Sequence, residues 1–196
     1  MARTPSAQAH SKVLEASLGL FAKRGIDATS MDAICEASGV SKATIYKHWH
    51  DKAALALEAL GLLFGLHEEA PKFDSGDLRQ DFVDVLIYQP AKPRQEMKNR
   101  VMPHVMAYAA RNRAFGDTWR SRILERPQSH LRILVKRGIA EGKLDKNIDA
   151  ETALAQLLGP ALYWYIFHGR KSGNALPGKW ASEIVNTFWK AYGRAK

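Results

Sequence analysis

The chain has 196 residues and one cysteine, with 46% hydrophobic residues, 25% charged residues and a formal net charge of +9. This length and composition are typical of a globular protein with its own core and exclude a disordered chain. A single cysteine excludes an internal disulfide and fits the reducing cytoplasm, and the most apolar segment, residues 157–167, is about half the length of a membrane-spanning helix. Residues 1–12 lack a hydrophobic stretch, so we expect a short flexible arm and not a secretory signal.

Two short helices joined by a tight turn are predicted within residues 29–52. Thr29 is a hydroxyl residue just ahead of an apolar run and has Asp32 three positions later, which is the arrangement that caps a helix start. Gly39 follows the helical run and can adopt the left-handed conformation that ends a helix. Ser41 then caps the second helix. The spacing predicts a helix-turn-helix.

The second helix has one face to bury and others free to contact DNA. Ile45 and Trp49 are four residues apart and lie on one side, so the opposite side is open. Such a helix can enter a major groove, and its N-terminal backbone N–H groups can approach a phosphate. The predicted phosphate contacts are Thr29, Ser41, Tyr46 and Lys52. The candidates for contact with base edges are Lys42, Ala43, Thr44, Lys47 and His48, with Lys47 open to either role.

The segment ATSMDAICEASGVSKATIYKHWHDKAAL, residues 28–55, resembles the DNA-binding segment of TetR-type transcriptional regulators. It carries that family's Thr, Gly-Val-Ser, Thr-Ile-Tyr, aromatic residue and Lys in order, although Trp49 stands where Phe is common. An upstream helix around Val13 and Phe21 that ends at Gly25 resembles the family's first helix. The resemblance covers roughly residues 8–60. It implies a double-stranded DNA operator, a homodimer and an unknown small-molecule effector.

The basic charge lies mostly outside this segment. Residues 1–60 contain seven Lys and Arg against six acids, whereas residues 92–137 contain twelve against three, a surplus of nine. One interpretation of the surplus is a set of solvated helix faces. The other is an anionic effector or a long-range attraction to DNA, for which Arg120 and Arg122 are candidates.

The rest of the chain has helical periodicity and no alternating strand pattern, which predicts an all-α fold. We expect a three-helix DNA-binding domain over residues 1–52, joined by a long fourth helix to a larger ligand-binding and dimerisation domain over 53–196. Proline, glycine and capping residues mark the predicted boundaries. They are the end of the fourth helix at Pro71, a break at 74–77, a loop at Pro90 and Pro93, a kink at Pro103, a turn at 112–116, a kink or helix start at Pro127, a helix end at Gly142, a cap at Asp149 and a last helix after Pro177 and Gly178.

The last two helices are apolar on more than one face, which predicts burial against a second subunit. Large aromatic and Met side chains in the middle of the chain are typical of core residues, but they also make an adaptable lining for a small apolar or aromatic ligand. The candidate effector-pocket residues are Phe82, Met102, His104, Tyr108, Phe115, Trp119 and Trp164.

No set of reactive or metal-ligating residues has usable spacing, so neither an enzyme, a metal site nor a cofactor is expected. His48 and His50 are two residues apart and lie on different sides of a helix, which is unsuitable for a shared metal. The preferred hypothesis is a dimeric, cytoplasmic repressor that a small molecule releases from its operator, with no membrane partner. The alternative is an architectural or protein-partnered DNA-binding regulator. Repression itself comes only from the resemblance, because the residues do not distinguish a repressor from an activator.

Overall fold

The structure is a computed structural model that describes residues 5–69, 71–88, 92–168 and 176–194. Within these ranges it contains ten α-helices and no β-strand, which confirms the all-α prediction. A π-helical segment, Arg120–Leu124, follows α7. No helix in the described ranges is long and apolar enough to cross a membrane. The α-helices are α1 (Pro5–Arg24), α2 (Met31–Ser38), α3 (Lys42–His48), α4 (Lys52–Leu63), α5 (Leu78–Ile87), α6 (Lys92–Arg111), α7 (Arg113–Trp119), α8 (Glu125–Ala140), α9 (Ala150–Phe167) and α10 (Gly178–Tyr192).

Packing divides the chain into two compact units. The first unit combines residues 1–68 with 90–123, and the second combines residues 69–89 with 124–196. Helices α6 and α7 therefore pack with the N-terminal helices, although they follow α5 in sequence. The predicted boundary at residue 52 separates DNA binding from ligand binding and dimerisation. The packing units do not test this division of function, so it stays a prediction.

Helix α1 is the centre of the first unit, where it contacts α2, α4 and α6. Its apolar stripe is buried at Val13, Leu14, Leu18 and Phe21. The helix begins at Pro5, where the fixed φ of proline suits the first helical position. The prediction of a flexible arm over residues 1–12 is therefore wrong from Pro5 onward.

The predicted caps of the helix-turn-helix are confirmed, with one shift. The side chains of Ser41 and Asp51 each accept a hydrogen bond from the backbone N–H three residues later. Gly39 ends α2 with φ of +66°. At the start of α2, however, the capping residue is Ser30 and not Thr29. The two hydroxyl residues are adjacent, and the acid at Asp32, three positions after Thr29, favoured the wrong one.

Helix α4 ends at Leu63, well before the predicted end at Pro71. Gly65 takes a φ of +65°, and the N–H of Leu66 donates to the carbonyl of Gly61 at 3.0 Å. A left-handed glycine followed by this backward hydrogen bond is the Schellman ending of a helix. Leu66 therefore folds back onto α4 instead of extending its apolar stripe.

Two other predicted interruptions are parts of helices. Helix α6 includes Pro93 in its first turn and continues through Pro103, so the predicted loop at Pro93 is wrong and Pro103 does not end the helix. The predicted turn at 112–116 is limited to Asn112, whose side chain caps α7. Gly116 lies inside α7, where an added Cβ would stand 2.9 Å from the carbonyl oxygen of Ala109. Gly116 therefore allows α6 and α7 to pack closely.

The second unit has its own core, formed by α5, α8, α9 and α10. Phe82 is fully buried in it, with its ring 5.6 Å from that of Phe188. The predicted boundaries at Gly142, with φ of +68°, and at Asp149, whose side chain caps α9, are confirmed. Helix α10 begins at Gly178, one residue before the predicted start. Pro90 lies outside the described residues, and Pro127 lies within the first turn of α8.

Candidate DNA-binding interface

Helix α3 has the division of faces that groove recognition requires. Ile45 and Trp49 are 0% and 2% exposed, which confirms their predicted burial. The remaining side chains face outward, and Tyr46 is 45% exposed. The predicted contact residues that are exposed are Ser41, Lys42, Ala43, Tyr46, Lys47 and His48, while Thr44 is half-buried.

The three lysines of the interface differ in how strongly the protein holds them. Lys42 pairs with Asp32 at 2.6 Å, and the hydrogen bond that its ammonium donates to that carboxylate raises the pKa of Lys42. The Nζ of Lys52 donates to the carbonyl of Asp27 at 2.9 Å, and burial lowers the pKa of Lys52. Lys47 makes no ion pair within the described residues. Lys47 is therefore the lysine whose charge is most available to DNA.

Thr29 is not placed for the predicted phosphate contact. Its side chain is 1% exposed, and its hydroxyl donates to the carbonyl of Gly25 at 2.7 Å. This bond fixes the connection between α1 and α2. The buried hydroxyl of Thr29 therefore has a structural role and is not available to contact a phosphate.

The connection between α1 and α2 also holds the start of α4 and the end of α6. The carboxylate of Asp27 pairs with Arg111, while its backbone carbonyl accepts from Lys52. Asp27 therefore contacts both the first residue of α4 and the last residue of α6. Both partners of Asp27 belong to the first unit.

Sequence reasoning missed a cluster that holds the end of α3. The Nε1 of Trp49 donates to Oε2 of Glu58 at 2.7 Å, and Nε2 of His10 lies 2.9 Å from Oε1 of the same carboxylate. The His10 ring lies 4.7 Å from that of Trp49 and 5.5 Å from that of His48. The signal in the sequence was Trp49 itself, because a buried indole N–H needs an acceptor and Glu58 is the single acid of α4.

The first unit contains a partly open cleft of about 690 Å³. We call it the α4–α7 cleft. Of the predicted pocket residues, Phe115 lines it. Its lining comes from the connection between α3 and α4, one face of α4, the segment after α4, and α7 with the π-helical segment. The residues are His48, Trp49, His50, Asp51, Ala53, Ala54, Leu57, Glu58, Gly61, Leu66, His67, Asn112, Ala114, Phe115, Thr118, Arg122 and Ile123.

The predicted pocket residues are divided between the two units. Phe82 is a core residue of the second unit, and Trp164 packs there against His168 and Trp180. The first unit contains the other five, which are Met102, His104, Tyr108, Phe115 and Trp119. Within it, the rings of Tyr108 and Phe115 are 4.8 Å apart.

Acids elsewhere in the chain neutralise much of the basic surplus of residues 92–137. Arg94 pairs with Glu68, Arg111 with Asp27, Arg132 with Glu151 and Arg137 with Asp81. This pattern favours the interpretation of paired and solvated helix faces over one large anion site. Arg120 pairs with Asp117, but Arg122 has no ion-pair partner in the part of the chain that the structure describes.

A buried three-helix core that presents an exposed recognition helix defines a helix-turn-helix DNA-binding protein. Comparison with known families agrees. The model of the bacterial regulatory proteins of the tetR family matches residues 13–59, and the model of the tetracyclin repressor-like C-terminal domain matches residues 73–187. The second match spans more than half of the chain. The protein belongs to the TetR family of DNA-binding transcriptional regulators, as the sequence resemblance predicted.

Related proteins have the same general role. An uncharacterised helix-turn-helix transcriptional regulator of Bacillus subtilis, YdeS, is 28% identical over 82% of this chain and 79% of its own length. A DNA-binding transcriptional repressor, TetR, of Mycobacteroides abscessus is 25% identical over 71% of this chain and 72% of its own. These names describe transcriptional regulators, which is a non-enzymatic role.

Solved structures share the fold. A TetR transcriptional regulator from Agrobacterium tumefaciens superimposes with a TM-score of 0.71 at 19% identity and covers 96% of both chains. The flavonoid-responsive regulator FrrA superimposes with a TM-score of 0.67 at 22% identity, covering 97% of this chain and 100% of its own. At these identities the likeness establishes the fold alone.

Proposed function

We propose that the protein is a dimeric, cytoplasmic repressor that leaves its DNA operator when a small molecule binds. The observation that carries the DNA-binding part is the exposed face of α3, in which Lys47 is uncommitted while Ile45 and Trp49 anchor the helix. Ser41, Tyr46 and Lys52 are the proposed phosphate contacts. The proposed base-edge contacts are Lys42, Ala43, Thr44, Lys47 and His48.

Dimerisation is supported by exposed apolar side chains on the last two helices. They are Leu162, Tyr163, Ile166 and Phe167 on α9 and Trp180 on α10, which are between 38% and 66% exposed. A monomer rarely exposes so many large apolar groups together. Paired recognition helices would then reach two half-sites separated by about 34–36 Å.

A small-molecule effector is supported by the unsatisfied polar group of Trp119. This side chain is 8% exposed, and its Nε1 makes no hydrogen bond to any described residue. Buried N–H groups are nearly always paired, so the Nε1 of Trp119, which does not line the α4–α7 cleft, can take an acceptor from a ligand or from water. FrrA, which has the same fold, is described as flavonoid-responsive.

The experiment is selection of bound sites from random DNA, followed by affinity measurements with Lys47→Ala. If Lys47 contacts a base, the variant should lose about 1–3 kcal/mol and accept other bases at one operator position. If it contacts a phosphate, the loss should be the same for all sequences, and the salt slope should fall by about one.

Lys136→Ala is the matched control, because Lys136 is an exposed lysine on α8 in the second unit. It should bind the operator as the wild type does. Unchanged affinity of Lys47→Ala would contradict the proposed interface. Adding candidate small molecules to the same assay tests release, and persistent DNA binding with every compound would favour a regulator controlled by a protein partner.

A further inference from the structure

We propose that the α4–α7 cleft binds a small aromatic carboxylate, which acts on the recognition helix. The role of this ligand as an effector rests on the proposed ligand-responsive function, but its binding does not. With a volume of about 690 Å³, the cleft has the size of small-molecule sites in proteins. Of the seven effector-pocket residues predicted from the sequence, Phe115 is the one that lines this cleft.

The polar groups of the cleft leave positive charge uncommitted. Asp51 accepts from the N–H of Ala54 at 2.7 Å, and Glu58 accepts from Trp49 and pairs with His10, so both carboxylates have partners. A third carboxylate that entered beside Asp51 and Glu58 would therefore need a separate cation.

Arg122 supplies that cation. It is exposed and makes no hydrogen bond or ion pair to any described residue, and the same is true of His67, which also lines the cleft. The neutral polar residues are occupied, since Asn112 caps α7 and Thr118 donates to the carbonyl of Ala114. A guanidinium binds a carboxylate through two parallel hydrogen bonds, so the free side chain of Arg122 gives this cleft a place to bind one.

The remaining lining is apolar and favours an aromatic ring. Small and branched side chains line α4 along one face, and Phe115 and Ile123 face them from the other side. The α4 residues are Ala53, Ala54, Leu57 and Gly61. A flat ring that buries apolar area here, with its carboxylate at Arg122, would satisfy both parts of the cleft.

The cleft also reaches the cluster that holds α3. Trp49 and Glu58 both line it, and their hydrogen bond joins the end of the recognition helix to α4. A ligand seated against Glu58 would move this bond and so change the position of α3. Binding free energy in the cleft is thereby linked to DNA affinity, in either direction.

The test uses the full chain without DNA, with 2-naphthoate as the probe and its uncharged amide, 2-naphthamide, as the matched ligand. Isothermal titration should detect naphthoate binding to the wild type. Arg122→Gln should weaken naphthoate binding by about tenfold, because glutamine offers a neutral N–H donor in place of the charged pair of donors, and it should leave naphthamide binding unchanged. Ala114→Trp should reduce binding of both compounds because it fills the cleft.

Arg100→Gln is the control, since Arg100 is an exposed arginine of the first unit that has no ion-pair partner in the described ranges and lies outside the cleft lining. It should bind naphthoate normally, and circular dichroism should show that each variant is folded.

Absence of naphthoate binding to the wild type, or equal binding of naphthoate by Arg122→Gln and the wild type, would overturn the proposal. If Arg122→Gln instead weakened only operator binding, Arg122 would be a phosphate contact. Naphthoate binding without any change in operator affinity would count against the proposed effector role and not against the site.

Discussion

Trp49 introduces a polar group into a position that the family more commonly fills with phenylalanine. Its indole is 2% exposed, so its N–H could not be left without an acceptor at acceptable cost. Glu58 provides the acceptor, and His10 contacts the other oxygen of the same carboxylate. Tryptophan at this position thus connects α1, α3 and α4, because its indole N–H and the ring of His10 both contact the carboxylate of Glu58.

A double-mutant cycle measures this connection. Glu58→Gln should lower the free energy of unfolding by about 1–2 kcal/mol in the wild type, because it weakens the charge-assisted bond from Trp49 and the pair with His10. In a Trp49→Phe background the same change should cost less, since the phenyl ring has no N–H. Urea unfolding of the four proteins should give a coupling energy of about 0.5–1.5 kcal/mol.

Glu36→Gln is the control for charge removal, because Glu36 is exposed on α2 and its side chain makes no hydrogen bond or ion pair to any described residue. Its effect should lie within about 0.5 kcal/mol of zero in both backgrounds. If the effects of Glu58→Gln and Trp49→Phe on the free energy of unfolding simply add, the hydrogen bond between Trp49 and Glu58 does not contribute to stability.

At the scale of single elements, sequence predicted what short-range chemistry decides. Ser41, Asp51 and Asp149 are caps in the structure because a cap depends on residues within one turn. The end of α4 is an exception, because its signal, Gly65 with a positive φ followed by apolar Leu66, is also local and the prediction at Pro71 overlooked it. The predicted turn at Gly116 is wrong because the closeness of Gly116 to the end of α6 is not visible in local sequence.

In the candidate DNA-binding interface, too, local features were predicted and distant contacts were not. Local spacing correctly predicted which face of α3 is buried, because Ile45 and Trp49 are one turn apart. The partners of the interface side chains are distant in sequence and could not be predicted. His10 reaches Glu58 from another helix, and Lys52 reaches Asp27 across the whole helix-turn-helix.

Helices α5 and α8 are joined by a buried ion pair. Asp81 is fully buried, accepts from the N–H of Ser75 at 2.8 Å and pairs with Arg137. Burial alone would raise the pKa of Asp81, but the hydrogen bonds from Ser75 and Arg137 outweigh it and hold the pKa below its usual value. Arg137 also pairs with Asp74, so the loop before α5 is attached to the same guanidinium.

Asp81→Asn should lower the free energy of unfolding by about 2–4 kcal/mol near neutral pH, because it leaves Arg137 without its buried partner. The folded-state pKa of Asp81 is depressed, so the carboxylate stabilises the protein fully above its unfolded-state pKa of about 4 and loses this effect as pH falls toward the lower folded value. The difference between wild type and variant should therefore be constant above about pH 5 and shrink below about pH 4.

Urea unfolding of both proteins across this pH range provides the measurement. Asp74→Asn is the matched control, since this carboxylate contacts the same arginine but its side chain is 81% exposed. Its effect should be no more than about 1 kcal/mol. A difference between wild type and Asp81→Asn that stays the same at every pH would show that the ionised carboxylate is not the source of the stability.

At the scale of the whole molecule, the proposed function depends on two copies of the chain. A single recognition helix covers one half-site, and the symmetry of a dimer matches the two half-sites of an operator. The exposed apolar groups near the end of α9 form two helical pairs, Leu162 with Ile166 and Tyr163 with Phe167, each four residues apart. Such a stripe suits packing against the same helix of a second copy.

Phe167→Glu combined with Ile166→Glu should therefore produce a monomer, because dimerisation would bury two carboxylates per subunit in an apolar interface. Light scattering should report a mass near 21.9 kDa for this variant, and twice that for the wild type. Ile133→Glu is the control, since Ile133 is 60% exposed but lies on α8, outside the last two helices, and this variant should remain dimeric.

The monomeric variant should also lose more affinity for an operator with two half-sites than for an isolated half-site, because only the former requires both recognition helices. A wild type that is already monomeric at the concentrations used for DNA binding, or a double variant that still dimerises, would place the interface elsewhere or remove it.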